Sequence, residues 1–458
     1  MPRRAQETKF LQLLFQNHYR ANPENVDIPA KVHTREFGME SWAYTWRCIE
    51  RIERDESGST TRKGCGRSGN SFIRISKCPN CGSSDIHVNN WTRHHGFRTA
   101  EALVAELAVL APHSVYHSAA FYEIPVARHM DEKEWQGAEL VFDIDADHLN
   151  SPCADEHDTW RCNNPDCGET GSGRNPTTGC PKCNGMSFSS RKWICDKCLD
   201  AAKKNTLKVR DEFLVRDLGI NPDLIQLNYS GHRGYHIRVH DPRVYKLGSK
   251  ARVEIVHFIT GMGFDSTKAV VTDGRIPRVS SRSFPGWAGK TAHAMVEFIR
   301  NIDAYPGTEQ WAKLLKKNRT AAIKGLQREP PIITTVPGIG VKSWQEIAAK
   351  STIAFGGEID VPVTHDIHRV IRLIGSLNGK TGFLVSELTR DEVDDFDPFG
   401  DALAFADGTL KLKVAGGQVK VPKFRISDDT YGPYGDEVVE LPMSAAVFLL
   451  CKGVASIE

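Results

Sequence analysis

Eleven of the twelve cysteines lie between Cys48 and Cys198, and their spacing is written twice. The first copy runs "TWRC" to Cys48, then Cys65-Gly, then "CPNCG" with Cys78 and Cys81. The second runs "TWRC" to Cys162, then Cys167-Gly, then "CPKCNG" with Cys180 and Cys183. In both, twelve residues separate the second cysteine from the third, and two separate the third from the fourth. Paired turns of this kind offer four sulfurs to one tetrahedral Zn²⁺. Only the first spacing differs, sixteen residues against four, as a loop inserted at a ribbon tip would produce. Cys153, His157, Cys195 and Cys198 bracket the second copy and would close a third site. His157 is the weakest of these, since a lone histidine is usually a polar surface or core residue. The arithmetic of three four-ligand sites favours it as a ligand. Small knobs of this sort bury little core and fold around their metal, so structural support is their expected role. Cys451, in "AAVFLLCKG", reads as a small buried apolar residue.

At 458 residues the chain suggests two or three units. The opening "MPRRAQETKFLQLLFQ" reads as neither signal peptide nor membrane span, so an intracellular protein without membrane association is expected, in cytoplasm or nucleoid. In that setting clustered cysteines point to metal rather than disulfides. A formal net charge of +2 gives no global field for a polyanion, so any such site is built locally. The expected organisation is an N-terminal helical part over 1–43, the first ribbon over 44–90, and an acidic strand within 91–150. A knob carrying the third metal site and the nested second ribbon follows over 151–198, then a glycine hairpin within 199–242. A mainly helical segment covers 243–350, and 351–458 holds a third acidic motif and the tail. Within the helical segment, "EQWAKLLKKNRTAAIKGLQR" reads as a solvated basic face rather than a phosphate contact. The acidic "RDEVDDFDPFGDALAFADG" reads as solvated loops.

Three stretches carry chemistry. In "AELVFDIDADHL" a strand would turn Leu140, Phe142 and Ile144 into a core and leave Asp143 and Asp145 together on the other face. Two adjacent carboxylates must share a proton or hold a cation. In "SGHRGYH" the glycines allow a tight turn, Ser230 and Arg233 offer donors for phosphate oxygens, and His236 follows on the next strand. In "EIDVPVTHDIHRVIRLIGSLNGKTG" a strand through Ile359, Val361 and Val363 would carry Asp360 on its opposite side. Thr364 would then cap a helix burying Ile367, Val370, Ile371 and Ile374, and Lys380 would lie in the loop beyond. Asp366 is a rival third carboxylate, but strand placement favours Asp360. Three acids for two divalent ions, beside cations for a triphosphate, are the equipment of in-line nucleotidyl transfer.

Taken together, "HTREFG", "ELVFDIDADH", "SGHRGYHIRV", "VTHDIHRVIRLIGSLNGKTG", "FDPFGDA" and "VELPMSAAVFLLCKG" resemble the small catalytic subunit of archaeal and eukaryotic DNA primases, more archaeal than eukaryotic. The resemblance covers nearly the whole chain outside the two ribbons. It implies a mixed α/β (α+β) primase catalytic core with mixed sheets, a helical segment and inserted zinc ribbons. It implies Asp143, Asp145 and Asp360 as catalytic residues holding Mg²⁺ or Mn²⁺, and Ser230, Arg233, His236, Arg372, Asn378 and Lys380 at the nucleotide. It matches Cys153, His157, Cys195 and Cys198 to the family's zinc knob. A single-stranded DNA template, NTPs or dNTPs, and a large primase subunit are the implied partners. Three departures stand out: Asn378 replaces the usual histidine, Ile374 the usual proline, and the paired "TWRC" ribbons are additions to the common pattern. Two other readings are a non-catalytic zinc-ribbon nucleic-acid-binding module, and a related polymerase acting in repair or extension.

Overall fold

Residues Phe37–Cys48 form one strand that belongs to two structures at once. In the computed structural model, which describes residues 5–54, 60–147, 149, 153–273, 276–415 and 421–458, its first half pairs with Ser114–Ser118, from Phe37↔His117 to Glu40↔Ser114. Its second half carries the first ribbon, pairing with Ser68–Ser71 on one side and Ile86–His95 on the other. This corrects the helix expected over 1–43. The helix is Ala5–Ala21, and an extended strand has begun by Phe37. Aromatic and small residues at period two, "FGMESWAYTW", suit a pleated surface better than a helix face. The expected boundary at 43/44 falls inside this strand, and that at 150/151 lies outside the described residues.

Two sheets form the core. One orders Val370–Arg372, Ser114–Ser118, Phe37–Cys48 and Ser68–Ser71, with Ile86–His95 added to the long strand. The other orders Glu387–Leu388, Ile225–Tyr229, Gly234–Val239 and Leu140–Asp145. The mixed α/β class expected from the sequence is what folds, and each of these pairings is antiparallel. Leu140, Phe142 and Ile144 enter the main core with Leu227 and Ile237, alongside Leu11 and Phe15 of the first helix and Phe448 and Leu449 of Met443–Lys452. Each such side chain contributes about 1.5–3 kcal/mol on leaving water. The helices Gly286–Arg300, Gln310–Leu326 and Val341–Phe355 enclose a second core around Met295, Leu315 and Trp344. Lys313, Lys316, Lys317 and Lys324 line the exposed side of the middle helix, as a solvated face would.

The ribbons repeat in space as they do in sequence. Trp46 pairs with Gly69 and Trp160 with Gly171. A Cβ on either glycine would stand 2.8 Å or 2.5 Å from the opposing indole, so each tryptophan ring lies flat across a residue without a side chain.

The third motif folds differently from its sequence pattern. Asp360 stands before a short helix, Val361–His365, and not within a strand. Pro362 explains this, since it lacks a donor for a ladder but suits a first helical turn. Val370–Arg372, expected within a helix, is a strand against Ser118–Tyr116. Val370 is half-buried while Ile371 and Arg372 are buried, so strand pairing rather than i, i+3, i+4 spacing decides its path.

Candidate active site

The strand Leu140–Asp145 buries Leu140, Val141, Phe142 and Ile144 and leaves Asp143 and Asp145 half-buried. On the aspartate face, Val141 packs with Ala119, Val363 and Ile371. That small apolar cluster lays the third motif over the strand, so Asp360 arrives beside the pair despite its different local structure. The Asp360 backbone N–H donates to the Asp143 carbonyl at 2.9 Å. Burial, then the charges of Asp145 and Asp360, push the Asp143 carboxyl up to about 7, while Arg369 and Arg372 pull it down. Three acids within one field form a site for a proton or for cations. Asp366, the rival acid, accepts the His368 N–H at 2.9 Å and caps a turn.

The hairpin strand lies against this one with His236 opposite Asp143 and Gly234 opposite Asp145. A Cβ on Gly234 would stand 2.1 Å from the Ile144 carbonyl oxygen, so only glycine permits that approach. Asn228 fixes the histidine. Its amide donates to the Tyr229 carbonyl at 3.1 Å and to His236 Nδ1 at 3.1 Å. The ring proton therefore sits on Nε2, 3.6 Å from Asp143 Oδ1. Burial, reinforced by Arg372, Arg238 and Arg369, lowers His236 to about 3 and keeps it neutral. Asn228 was not singled out from the sequence; its position opposite His236 in the hairpin is the available signal.

At the turn, Ser230 N–H donates to the Gly234 carbonyl at 2.9 Å and Ser230 Oγ accepts from Gly234 N–H at 3.3 Å. The third-motif loop grips this tip. Asn378 Nδ2 donates to the Ser230 carbonyl at 3.0 Å, and Thr381 Oγ1 to the Gly231 carbonyl at 2.6 Å. Asn378 is fully buried and spends its side chain on that brace and on the Lys380 amide. Arg372 lies 4.8 Å over the Tyr116 ring, which meets Trp91 edge-on at 5.1 Å. Trp91 belongs to the return strand of the first ribbon. Arg233 is buried and ion-paired with Asp147, with Asp158 3.5 Å away.

One cation escaped the sequence reading. Lys452, at the end of the last helix, donates to the Lys192 carbonyl at 3.0 Å and meets His232 Nε2 at 3.1 Å. Burial, then Arg233 and Lys380, lower its ammonium to about 7. Arg233, Arg372, Lys380 and Lys452 thus gather around His232 at one corner, offering donors of the kind that hold a polyanion.

The metal-ligand sets assemble as the spacing predicts. Cys48, Cys65, Cys78 and Cys81 form one group, Cys162, Cys167, Cys180 and Cys183 a second, and Cys153, His157, Cys195 and Cys198 a third. Sulfur separations of 3.5–3.7 Å in the ribbons match the edge of a tetrahedron with Zn–S near 2.3 Å, about 3.7 Å. In the third group His157 Nε2 lies 3.3 Å from Cys198 Sγ.

The family model described as DNA primase small subunit matches residues 178–390. Curated relatives named DNA primase small subunit PriS include that of Methanococcoides burtonii, 32% identical over 79% of this chain and 87% of the relative. That of Methanothrix thermoacetophila is 32% identical over 80% and 89%. That of Nitrosopumilus maritimus is 27% identical, but its alignment spans 98% of this chain and 99% of its own.

Proposed function

The chain belongs to the DNA primase small-subunit family, and from that premise we propose that Asp143, Asp145 and Asp360 are the catalytic acids of its primer synthesis. The observation that carries this is the convergence of the three acids, with Asp143 held at about 7 by burial and by the other two. When bound there, Mg²⁺ or Mn²⁺ would lower the pKa of an attacking 3′-hydroxyl and neutralise the departing pyrophosphate. The residues do the rest. Asp143 gives up its proton before taking a cation. His236, neutral and held by Asn228, presents Nε2–H beside it. The turn at Ser230–Gly234 and the loop at Asn378–Thr381 hold the pocket wall, with Asn378 acting through the Ser230 carbonyl. Arg233, Arg372, Lys380 and Lys452 balance the charge of a nucleoside triphosphate, and Lys380 interacts electrostatically with both Arg372 and Asp145. The three cysteine-containing groups would hold structural Zn²⁺. The reaction class is template-directed nucleotidyl transfer of the DNA-directed RNA polymerase type, on single-stranded DNA, in partnership with a large primase subunit. The spans given for the ribbons, knob and core stand as the proposed domains, except that the first ribbon begins within the strand Phe37–Cys48.

Primer-free incorporation of labelled nucleotide on single-stranded DNA, with and without Mn²⁺, tests this. Asp145→Asn and Asp360→Asn are expected to abolish synthesis while zinc content and circular dichroism stay unchanged. Full activity in either variant refutes the assignment of that acid.

A further inference from the structure

The third metal group is inserted between the acidic strand and the hairpin, and one carboxylate ties it to both. His157 Nδ1 lies 2.8 Å from Asp158 Oδ1, which also accepts the Trp193 N–H at 2.9 Å. With Nδ1–H so directed, Nε2 keeps its lone pair and faces Cys198. This is the arrangement in which a carboxylate sets the tautomer and orientation of a metal-binding histidine. The other oxygen of the same group, Asp158 Oδ2, lies 3.5 Å from Arg233 Nη1. Arg233 is 1% exposed, and its remaining ion partner, Asp147, follows Asp145 by two residues and also pairs with Lys192 of the knob. The hairpin arginine is therefore wedged between the end of the acidic strand and the knob.

We propose that Asp158 is a positioning residue shared by the zinc ligand His157 and by Arg233, so that the third metal site aims the hairpin arginine at the nucleotide as well as bracing the fold. This rests on reading Arg233 as a nucleotide contact. An ion held by His157 fixes the ring, the ring fixes Asp158, and Asp158 limits the swing of the guanidinium. The two ribbon sites have no such link to Arg233 among the described contacts, so the effect belongs to the third site alone.

The near-isosteric Asp158→Asn in the full-length chain tests the link, since it keeps an acceptor for His157 and replaces the charge facing Arg233 with a donor. Binding of a non-hydrolysable nucleoside triphosphate is measured by calorimetry with Mn²⁺, and zinc release to a chromogenic chelator is followed separately. Expected are nucleotide affinity reduced on the order of tenfold and faster release of one zinc, with kcat changed less than KM. In Arg233→Lys the Asp158→Asn change should add little, because the two act through one group. Cys183→Ser, which opens the second ribbon, should leave nucleotide affinity alone. If Arg233→Ala binds nucleotide normally, the site reading fails and the proposal falls with it. If Arg233→Ala weakens binding but Asp158→Asn does not, the link alone is wrong. Equal losses in Cys183→Ser and Asp158→Asn would mean general loosening of the knob and would also overturn it.

Discussion

Asp143 sets the pH behaviour of the acidic centre. Its carboxyl sits at about 7, against 3.8 ordinarily, because burial and two neighbouring acids penalise its charge. A raised acid stabilises the fold fully below its unfolded value, and that contribution is lost as pH rises through about 7. Protein free of Mg²⁺ and Mn²⁺, with zinc in place, should therefore lose thermal stability as pH rises through this range, and Asp143→Asn should flatten that slope. The same proton competes with cations, so Mn²⁺ affinity should fall about tenfold per pH unit below about 7. Calorimetric titration across pH would show the reverse or no trend if the acid were not the ligand. Lys452 makes an opposite trade. Burial, with Arg233 and Lys380 nearby, holds its ammonium well below the usual range. Lys452→Met should raise the melting temperature while raising KM for nucleotide about tenfold, with Lys452→Arg restoring the affinity. An unchanged KM would remove Lys452 from the site. Residue chemistry was legible where a local pattern carried it, as in Asp-x-Asp at strand period. Lys452 was not legible, because only tertiary packing brings the end of the last helix to the hairpin.

Among elements, the hairpin is the most tightly specified. Gly234→Ala would drive a methyl into the Ile144 carbonyl, at a cost of about 1–3 kcal/mol, and would pry His236 from Asp143. Urea denaturation should register the first effect and primer synthesis a larger loss; wild-type behaviour in both would mean the strands do not approach as described. The ribbons should fail locally. Cys180→Ser should lose one zinc and protease resistance around 159–191 before it loses synthesis, and loss of chemistry with that zinc retained would contradict a supporting role. The hairpin was readable from its glycines. The third motif was misread, because "VTHDIHRVIRLI" satisfies helical spacing while Pro362 and strand pairing decide its path.

Across the whole molecule, what the sequence could not supply was the closure of one sheet on the other. Asp360 comes to lie beside Asp143 by a different local route from the strand expected, since packing of Val363 and Ile371 on Val141 delivers it. The long strand Phe37–Cys48 and its neighbour Ile86–His95 carry a last consequence. Thr45 stands opposite Asn89, and its hydroxyl donates to the Asn89 carbonyl at 2.9 Å. Antiparallel partners are about 5 Å apart, a gap that an Asn-Gly reverse turn closes. The entire first metal-bearing appendage is thus removable by a single internal excision that splices Thr45 to Asn89, leaving Trp91 and Arg93 seated where they are.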